Sequence, residues 1–250
     1  ELVPLVNLQG KFIDNLKIIG GKYVKNEYYD DEHKPEKSVD VEICIHLKKR
    51  NRAFKVEKHI HSYPNCWRTD KPILYYPLDS WFIRVSQIRN KLVSLNKKIN
   101  WIPPSTGEKR FSNWLSSAND WNLSRSRYWG IPLPIWRTKD KSETKVIGSV
   151  KELKDEIVIS IKNKHMEFNL MEDFEVDNMS EENYDKIDLH KDTVDKIILT
   201  SDKGKPMFRE KDLIDVWFDS GAMPYAQVHY PFENKDLIEN KKSFPADYIA

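Results

Sequence analysis

From Ser38 onward the apolar positions Val39, Ile43 and Leu47 recur at every fourth residue, and Lys48-Lys49-Arg50 close the run. This spacing predicts a short amphipathic helix, with Ser38 as its N-cap and its basic residues at the negative end of the helix dipole. Phe54, Val56 and Ile60 then alternate with polar positions, the period of a half-buried strand. Past Pro64 the texture becomes rich in aromatic residues, and Ile73–Tyr76 and Trp81–Arg84 read as short strands. Ser86 is positioned to cap a helix with Ile88, Leu92, Leu95 and Ile99 along one face, and Phe111, Trp114, Leu115 and Ala118 form a second stripe at helical spacing. Pro132 and Pro134 mark a linker, since neither a helix interior nor a central strand accommodates that pair. Ser149 with Glu152 three residues later forms a capping box, which opens a helix carrying Val150, Leu153, Ile157 and Ile161. Val194–Thr200 and Leu213–Phe218 read as strands, the latter broken at Ser220-Gly221. Strands and helices of mixed length in alternation predict an α/β fold.

Composition narrows the function classes. Lysine and arginine number 41 against 39 acidic residues, a net charge of +2, so no strong field recruits nucleic acid by charge alone. The 8 tryptophans and a 12% aromatic content exclude a disordered chain, because so many rings require a core or a ligand. Cys44 and Cys66 are too far apart for a C-x-x-C pair and cannot build a disulfide framework, so a reducing, cytoplasmic setting is expected. No apolar run approaches the ~18–20 residues of a membrane span, and no basic-then-apolar leader opens the chain. The chain starts at Glu1 and stops in what reads as the middle of a strand, which suggests a piece of something larger.

Phosphate-cradling and hydrolase signatures (G-x-G-x-x-G, G-x-x-x-x-G-K-[ST], H-E-x-x-H, G-x-S-x-G) do not occur. His59, His61 and Cys66 have the residue types of a zinc site, but Thr69 stands where a further cysteine would complete it, and exposed histidines beside a buried thiol are the expectation. No metal site is therefore assigned. Asp215, Trp217 and Asp219 alternate, so on a strand an indole and two carboxylates would share one face ahead of a Ser-Gly turn, a suitable wall for a ligand with a polar head and an apolar tail. Ser124-Arg125-Ser126-Arg127 beside Trp129 offers two guanidinium forks and a stacking plane for phosphate or bases. The same residues equally suit core tryptophans ringed by solvated charge.

Three stretches carry a resemblance: "HSYPNCWRTDKPILYYPLDSWFIR" (61–84), "NWLSSANDWNLSRSRYWGIPLPIW" (113–136) and "DLIDVWFDSGAMPYAQVHYPF" (212–232). Together they resemble the isoleucyl-tRNA synthetases, a family of class I aminoacyl-tRNA synthetases, along essentially the whole chain. Residues 127–132 and 217–221 are similar to the isoleucine rather than the valine branch, and "GKFIDNLKIIGGKYVKNEYYD" (10–30) looks like the late part of the family's editing insertion. The resemblance implies part of a split Rossmann-like catalytic domain, the C-terminal part of a mostly β editing domain, and a small α+β insertion. Its expected divisions are 1–62 (end of the editing insertion), 63–136 (return to the catalytic core), 137–212 (charged α+β insertion) and 213–250 (catalytic Rossmann-like segment).

The resemblance further implies a parent enzyme that activates isoleucine with ATP and Mg as substrates and transfers it to tRNA, with hydrolytic editing, as a cytoplasmic monomer. A hydrophobic pocket separates side chains that differ by one methylene by only about 1–3 kcal/mol, a general magnitude this family itself exemplifies and the reason a second, hydrolytic site is needed. The family's His-Ile-Gly-His and Lys-Met-Ser-Lys-Ser signatures, which hold ATP, are not in these 250 residues. No catalytic residue is therefore assigned here, no cofactor is expected to bind, and the isolated chain is expected to be inactive. Trp217 matches the tryptophan that walls the isoleucine pocket. Asp215, Asp219, Ser220 and Gly221 are expected to support it, with Gly221 permitting a close or left-handed backbone. Arg125, Arg127, Trp129 and Gly130 match a signature expected either to face the adenylate or the tRNA 3′ end, or to stitch the core to the insertion. Two rival readings remain at this stage. One is a non-catalytic tRNA-binding module, using the basic run 48–52 and the Ser-Arg run 124–127; the other is a carbohydrate-active module with Trp217 stacked on a sugar and Asp215 and Asp219 as acid and base.

Overall fold

The computed structural model describes residues 3–249. They form two compact units, divided after Asp79.

In the first unit α1 (Val39–Lys49) begins as the spacing predicts. Ser38 accepts a hydrogen bond from the Val41 amide at 3.5 Å, Asp40 and Glu42 occupy the first turn, and His46, Lys48 and Lys49 the last. Glu42 is tied to Lys22 at 2.6 Å. Elsewhere single bridges hold the chain, Val6 to Phe12, Lys11 to Tyr23 and Asn65 to Pro72, and Tyr23 meets the edges of Tyr28 and Tyr29. A cleft of about 200 Å³ lies between α1 and the loop Leu16–Ile19, lined by Ile43, His46 and Leu47 from the helix side. Two strand expectations fail here. Phe54–Ile60 makes no ladder among the described residues, and Phe54 and Ile60 stay exposed. The period-2 pattern is still visible as contacts two residues apart, Lys55 with Glu57 at 2.6 Å and His59 with His61 at 5.7 Å, because alternation sets a face but a strand needs a neighbour to bond. Ile73–Tyr76 likewise makes no ladder among the described residues; beside the Pro72 bridge, the Ile73 amide donates to the Pro64 carbonyl and the Ile73 carbonyl accepts from the Tyr63 hydroxyl at 2.8 Å.

The second unit runs β1 (Phe82–Ile83), α2 (Arg89–Asn96), α3 (Ser112–Ser116), β2 (Trp121–Asn122), β3 (Ser124–Arg125), β4 (Ile135–Thr138), β5 (Thr144–Val146), α4 (Val150–Lys162), α5 (Glu181–Tyr184), α6 (Lys191–Val194), β6 (Ile198–Thr200), β7 (Pro206–Arg209), β8 (Leu213–Ile214), α7 (Trp217–Ala226) and α8 (Lys235–Glu239). β1 pairs with β2, β3 with β8, and β5-β4-β7-β6 form a four-stranded sheet; all of these pairings are antiparallel. The structure is thus a mixed α/β chain built on antiparallel sheets.

The buried core lies on that four-stranded sheet, almost wholly within the charged stretch 137–212. Trp136, Ile147, Leu153, Ile157, Met171, Val194, Ile197, Leu199 and Met207 form one cluster. Each fully buried Ile, Leu or Met contributes about 1.5–3 kcal/mol. α4 supplies Leu153 and Ile157, and half of its expected capping box is formed: Ser149 accepts from the Glu152 amide at 3.1 Å, while the Glu152 carboxylate reaches one residue ahead of the N-cap, to the Gly148 amide at 2.7 Å. The Trp136 indole donates to the Ile197 carbonyl at 2.8 Å, which satisfies its one polar atom inside the core.

Three further expectations are corrected. Ser86 does not cap a helix: its amide donates to Asp120 at 2.9 Å, and α2 starts at Arg89 after a 3₁₀ turn. The stripe at 111–118 is helical only to Ser116, entered through a π-helical turn, Thr106–Phe111, in which Gly107 packs under Trp101. Val194–Thr200 divides, with Val194 ending α6 and only Ile198–Thr200 in the sheet.

Candidate functional site: the Asp215 anchor and Trp217

β8 ends at Ile214, where the Asp215 amide donates to the Leu123 carbonyl at 2.8 Å. The chain does not go on as a strand. The Asp215 carboxylate accepts from the Trp217 amide at 3.2 Å and its carbonyl accepts from the Phe218 amide at 2.8 Å, so α7 opens under an aspartate that fills two of the orphan positions of a helix N-terminus. The expected strand from Leu213 to Phe218 is therefore a two-residue strand, a turn and a helix. Asp215, Trp217 and Asp219 do not share a strand face. Asp219, Ser220 and Gly221 are exposed early in α7. Gly221 adopts helical backbone with open space where a Cβ would project, so it is neither a turn nor a close approach.

Asp215 is 4% exposed, and both of its carboxylate oxygens are occupied. Oδ2 accepts from the Trp121 indole at 3.1 Å and from Arg125 Nη2 at 2.5 Å; Oδ1 takes the Trp217 amide. Burial pushes this carboxyl up, but the Trp121 hydrogen bond, the Trp217 amide and the Arg125 charge outweigh it and hold Asp215 below its ordinary value. An ionised, fully bonded carboxylate is a fixed anchor rather than a proton donor, which removes the acid-base pairing with Asp219 considered from the sequence. Arg125 spends its other terminal nitrogen on the carbonyls of Asn122 (2.8 Å) and Ser124 (2.9 Å). It is thereby turned into the fold by its Asp215 partner.

Trp217 itself is 70% exposed. Its neighbour Phe218 lies near Trp121, ring centroids 6.4 Å apart. The two clefts described, on α1 and beside Trp101, are lined by other residues; the second, about 460 Å³, is bounded by Asn96, Ile99, Trp101, Pro104, Gly107 and Glu108.

The rest of the basic-aromatic signature is dispersed. Arg127 is exposed, its amide bonded to the Arg125 carbonyl at 3.0 Å. Trp129 stacks on His190, the residue that precedes α6, with centroids 4.7 Å apart and planes 18° from parallel. Gly130 has φ +143°, and a Cβ there would meet Leu213 at 3.3 Å, so glycine is required for the chain to pass β8. Sequence reasoning missed Trp121 and His190 as partners. Nothing local marks them, since one acts across 94 residues and the other, just ahead of α6, is far along the chain from Trp129.

Among the described residues no three His, Cys, Asp or Glu side chains converge on a metal position. His59 and His61 stack on one another, and the Cys66 thiol is drawn below its usual range by the Thr69 hydroxyl first and then by the Arg68 and Thr69 amides. No helix among the described residues is long and apolar enough to cross a membrane.

Comparison with known proteins locates the chain more closely. Residues 23–250 match the family model for class I tRNA synthetases (I, L, M and V). The chain is 55% identical, over its full length, to an isoleucine–tRNA ligase of Bacteroides fragilis, of which it covers 24%. It is 57% identical over 93% of its length to that of Porphyromonas gingivalis (20% of that protein), and 56% identical over 99% to that of Cytophaga hutchinsonii (22%). The chain thus spans about a quarter of the length of the curated relatives it matches.

Proposed function

Because the chain belongs to the class I tRNA synthetase family, we propose that it is an internal segment of an isoleucine–tRNA ligase, which activates isoleucine with ATP and Mg as substrates, transfers it to tRNA and edits mischarged product. In this reading residues 1–62 end the editing domain, 63–136 return to the catalytic core, 137–212 form the insertion, and 213–250 belong to a Rossmann-like catalytic domain. The parent works as a cytoplasmic monomer, with tRNA, isoleucine and ATP as its partners. The observation that carries the reading is the 55% identity along the entire chain to a protein of that name.

Within it, Trp217 is the wall of the isoleucine side-chain pocket. A flat, rigid and apolar indole packs against a branched aliphatic chain at little cost in entropy. Its exposure on the first turn of α7, with its backbone pinned by Asp215, supports that role. Positioning and charge stabilisation at the phosphate dominate adenylate chemistry. Those tasks fall to parts of the parent that carry the ATP-holding signatures.

In the full-length ligase, Trp217→Ala raises the KM for isoleucine about tenfold, the loss of roughly 1.4 kcal/mol of side-chain contact, and leaves the KM for ATP within about twofold. An equal rise for both substrates overturns the pocket-wall role. These 250 residues alone give no isoleucine-dependent pyrophosphate exchange; measurable exchange contradicts the assignment of the ATP chemistry to other parts of the parent.

A further inference from the structure

The stretches 113–136 and 212–232 close on one carboxylate. Oδ2 of Asp215 is held by Trp121 and Arg125, 94 and 90 residues away along the chain, and Oδ1 holds the Trp217 amide. We propose that Asp215, clamped by Arg125 and Trp121, is a positioning residue that sets the direction of the Trp217 indole and hence the fit of the amino-acid side chain. This inference rests on the reading of Trp217 as a pocket wall.

Three observations carry it beyond a simple helix cap. A cap needs one side-chain oxygen, whereas both oxygens of Asp215 are engaged, so the carboxylate cannot rotate about its last bond. Arg125 fixes the far side of the clamp through the carbonyls of Asn122 and Ser124, so β2 and β3 share the frame. Trp217, by contrast, is 70% exposed and makes no ring contact with an aromatic neighbour among the described residues. Its placement therefore comes through its backbone, whose amide is the third donor on Asp215. A misplacement of about 1 Å at a reacting or binding group can change rates on the order of 100-fold, so a rigid anchor at this amide has leverage on specificity. The arrangement also gives Arg125 a task within the fold, in place of direct contact with the adenylate or tRNA.

The test uses the full-length ligase and steady-state pyrophosphate exchange, with circular dichroism to confirm folding. Asp215→Asn keeps an acceptor for the Trp217 amide and removes the charge that holds Arg125; it is expected to raise the KM for isoleucine about tenfold with the KM for ATP within twofold. Arg125→Gln is expected to act in the same direction, and Arg125→Lys to recover part of the loss, because the charge returns without the fork. Trp121→Phe keeps the ring and deletes one donor; it decides the matter if Asp215→Asn fails to fold, with a smaller selective rise expected. Unchanged isoleucine KM in folded Asp215→Asn, or in Trp121→Phe where it stands in, overturns the positioning role; if Trp217→Ala still raises that KM, the pocket-wall reading survives. Equal rises for isoleucine and ATP overturn it as well, since they mark a general loss of structure. No effect of Trp217→Ala removes the reading on which the inference stands.

Discussion

Trp129 lies flat on His190, ring centroids 4.7 Å apart, and joins the loop ahead of β4 to the start of α6. His190 is itself held by Asp188, whose Oδ1 is 2.7 Å from its Nδ1.

The stack is expected to show as coupling. Trp129→Ala and His190→Ala, measured singly and together by urea unfolding, should give an interaction energy of about 0.5–1 kcal/mol, toward the low end for aromatic pairs because Trp129 is 77% exposed. Strict additivity of the two changes would show that the rings only happen to be parallel.

Acid weakens this region in a defined window. The backbone amide of His190 first, then the Thr193 hydroxyl and the His190 ring, draw Asp188 from 3.8 down to about 2. A carboxyl depressed in the folded state contributes stability that is present above its unfolded value and is lost as pH falls through the folded one. Stability is therefore expected to decline between about pH 4 and 2, and Asp188→Asn to flatten that limb of a pH-unfolding profile. An unchanged slope in the variant would assign the acid transition to other carboxylates.

Two glycines are expected to respond oppositely to alanine. At Gly107 a Cβ would fall 2.0 Å from Trp101 Cδ1, so Gly107→Ala displaces an indole that is bonded to Asn96 and lowers stability by about 1–3 kcal/mol. At Gly221 the space is open and the backbone helical, so Gly221→Ala raises stability by about 0.5–1 kcal/mol. Thermal midpoints of the two variants moving the same way would contradict this account.

The buried cluster on the four-stranded sheet predicts a sharp contrast along one helix. Ile157 is fully buried on α4, and Ile157→Ala is expected to cost about 2–5 kcal/mol, whereas Val158→Ala, at a 40% exposed position, changes stability by about 0.5 kcal/mol or less. Denaturant midpoints that shift equally would mean α4 does not pack as described.

Where sequence and structure agree, the signal is local. Ser38 and Ser149 announce α1 and α4 because a cap is a contact between residues three apart, and the stripe through Leu153 and Ile157 needs only the helical period to identify its buried face. The disagreements at 54–60 and 213–218 share another cause. In the first, alternation is present but no neighbouring strand among the described residues takes up the backbone bonds. In the second, an apolar run compatible with either period becomes helical because its aspartate is fixed from elsewhere in the chain.

The order of residues alone determined the family and the two capped helices, since each is written in neighbouring positions or in long contiguous motifs. The partners of Arg125 and Trp121 on Asp215 and the seat of Trp129 on His190 were decided by tertiary packing. Those contacts join distant positions, 94 and 90 residues apart for Trp121 and Arg125 on Asp215, and the free energy that selects them arises only when distant segments exclude water together.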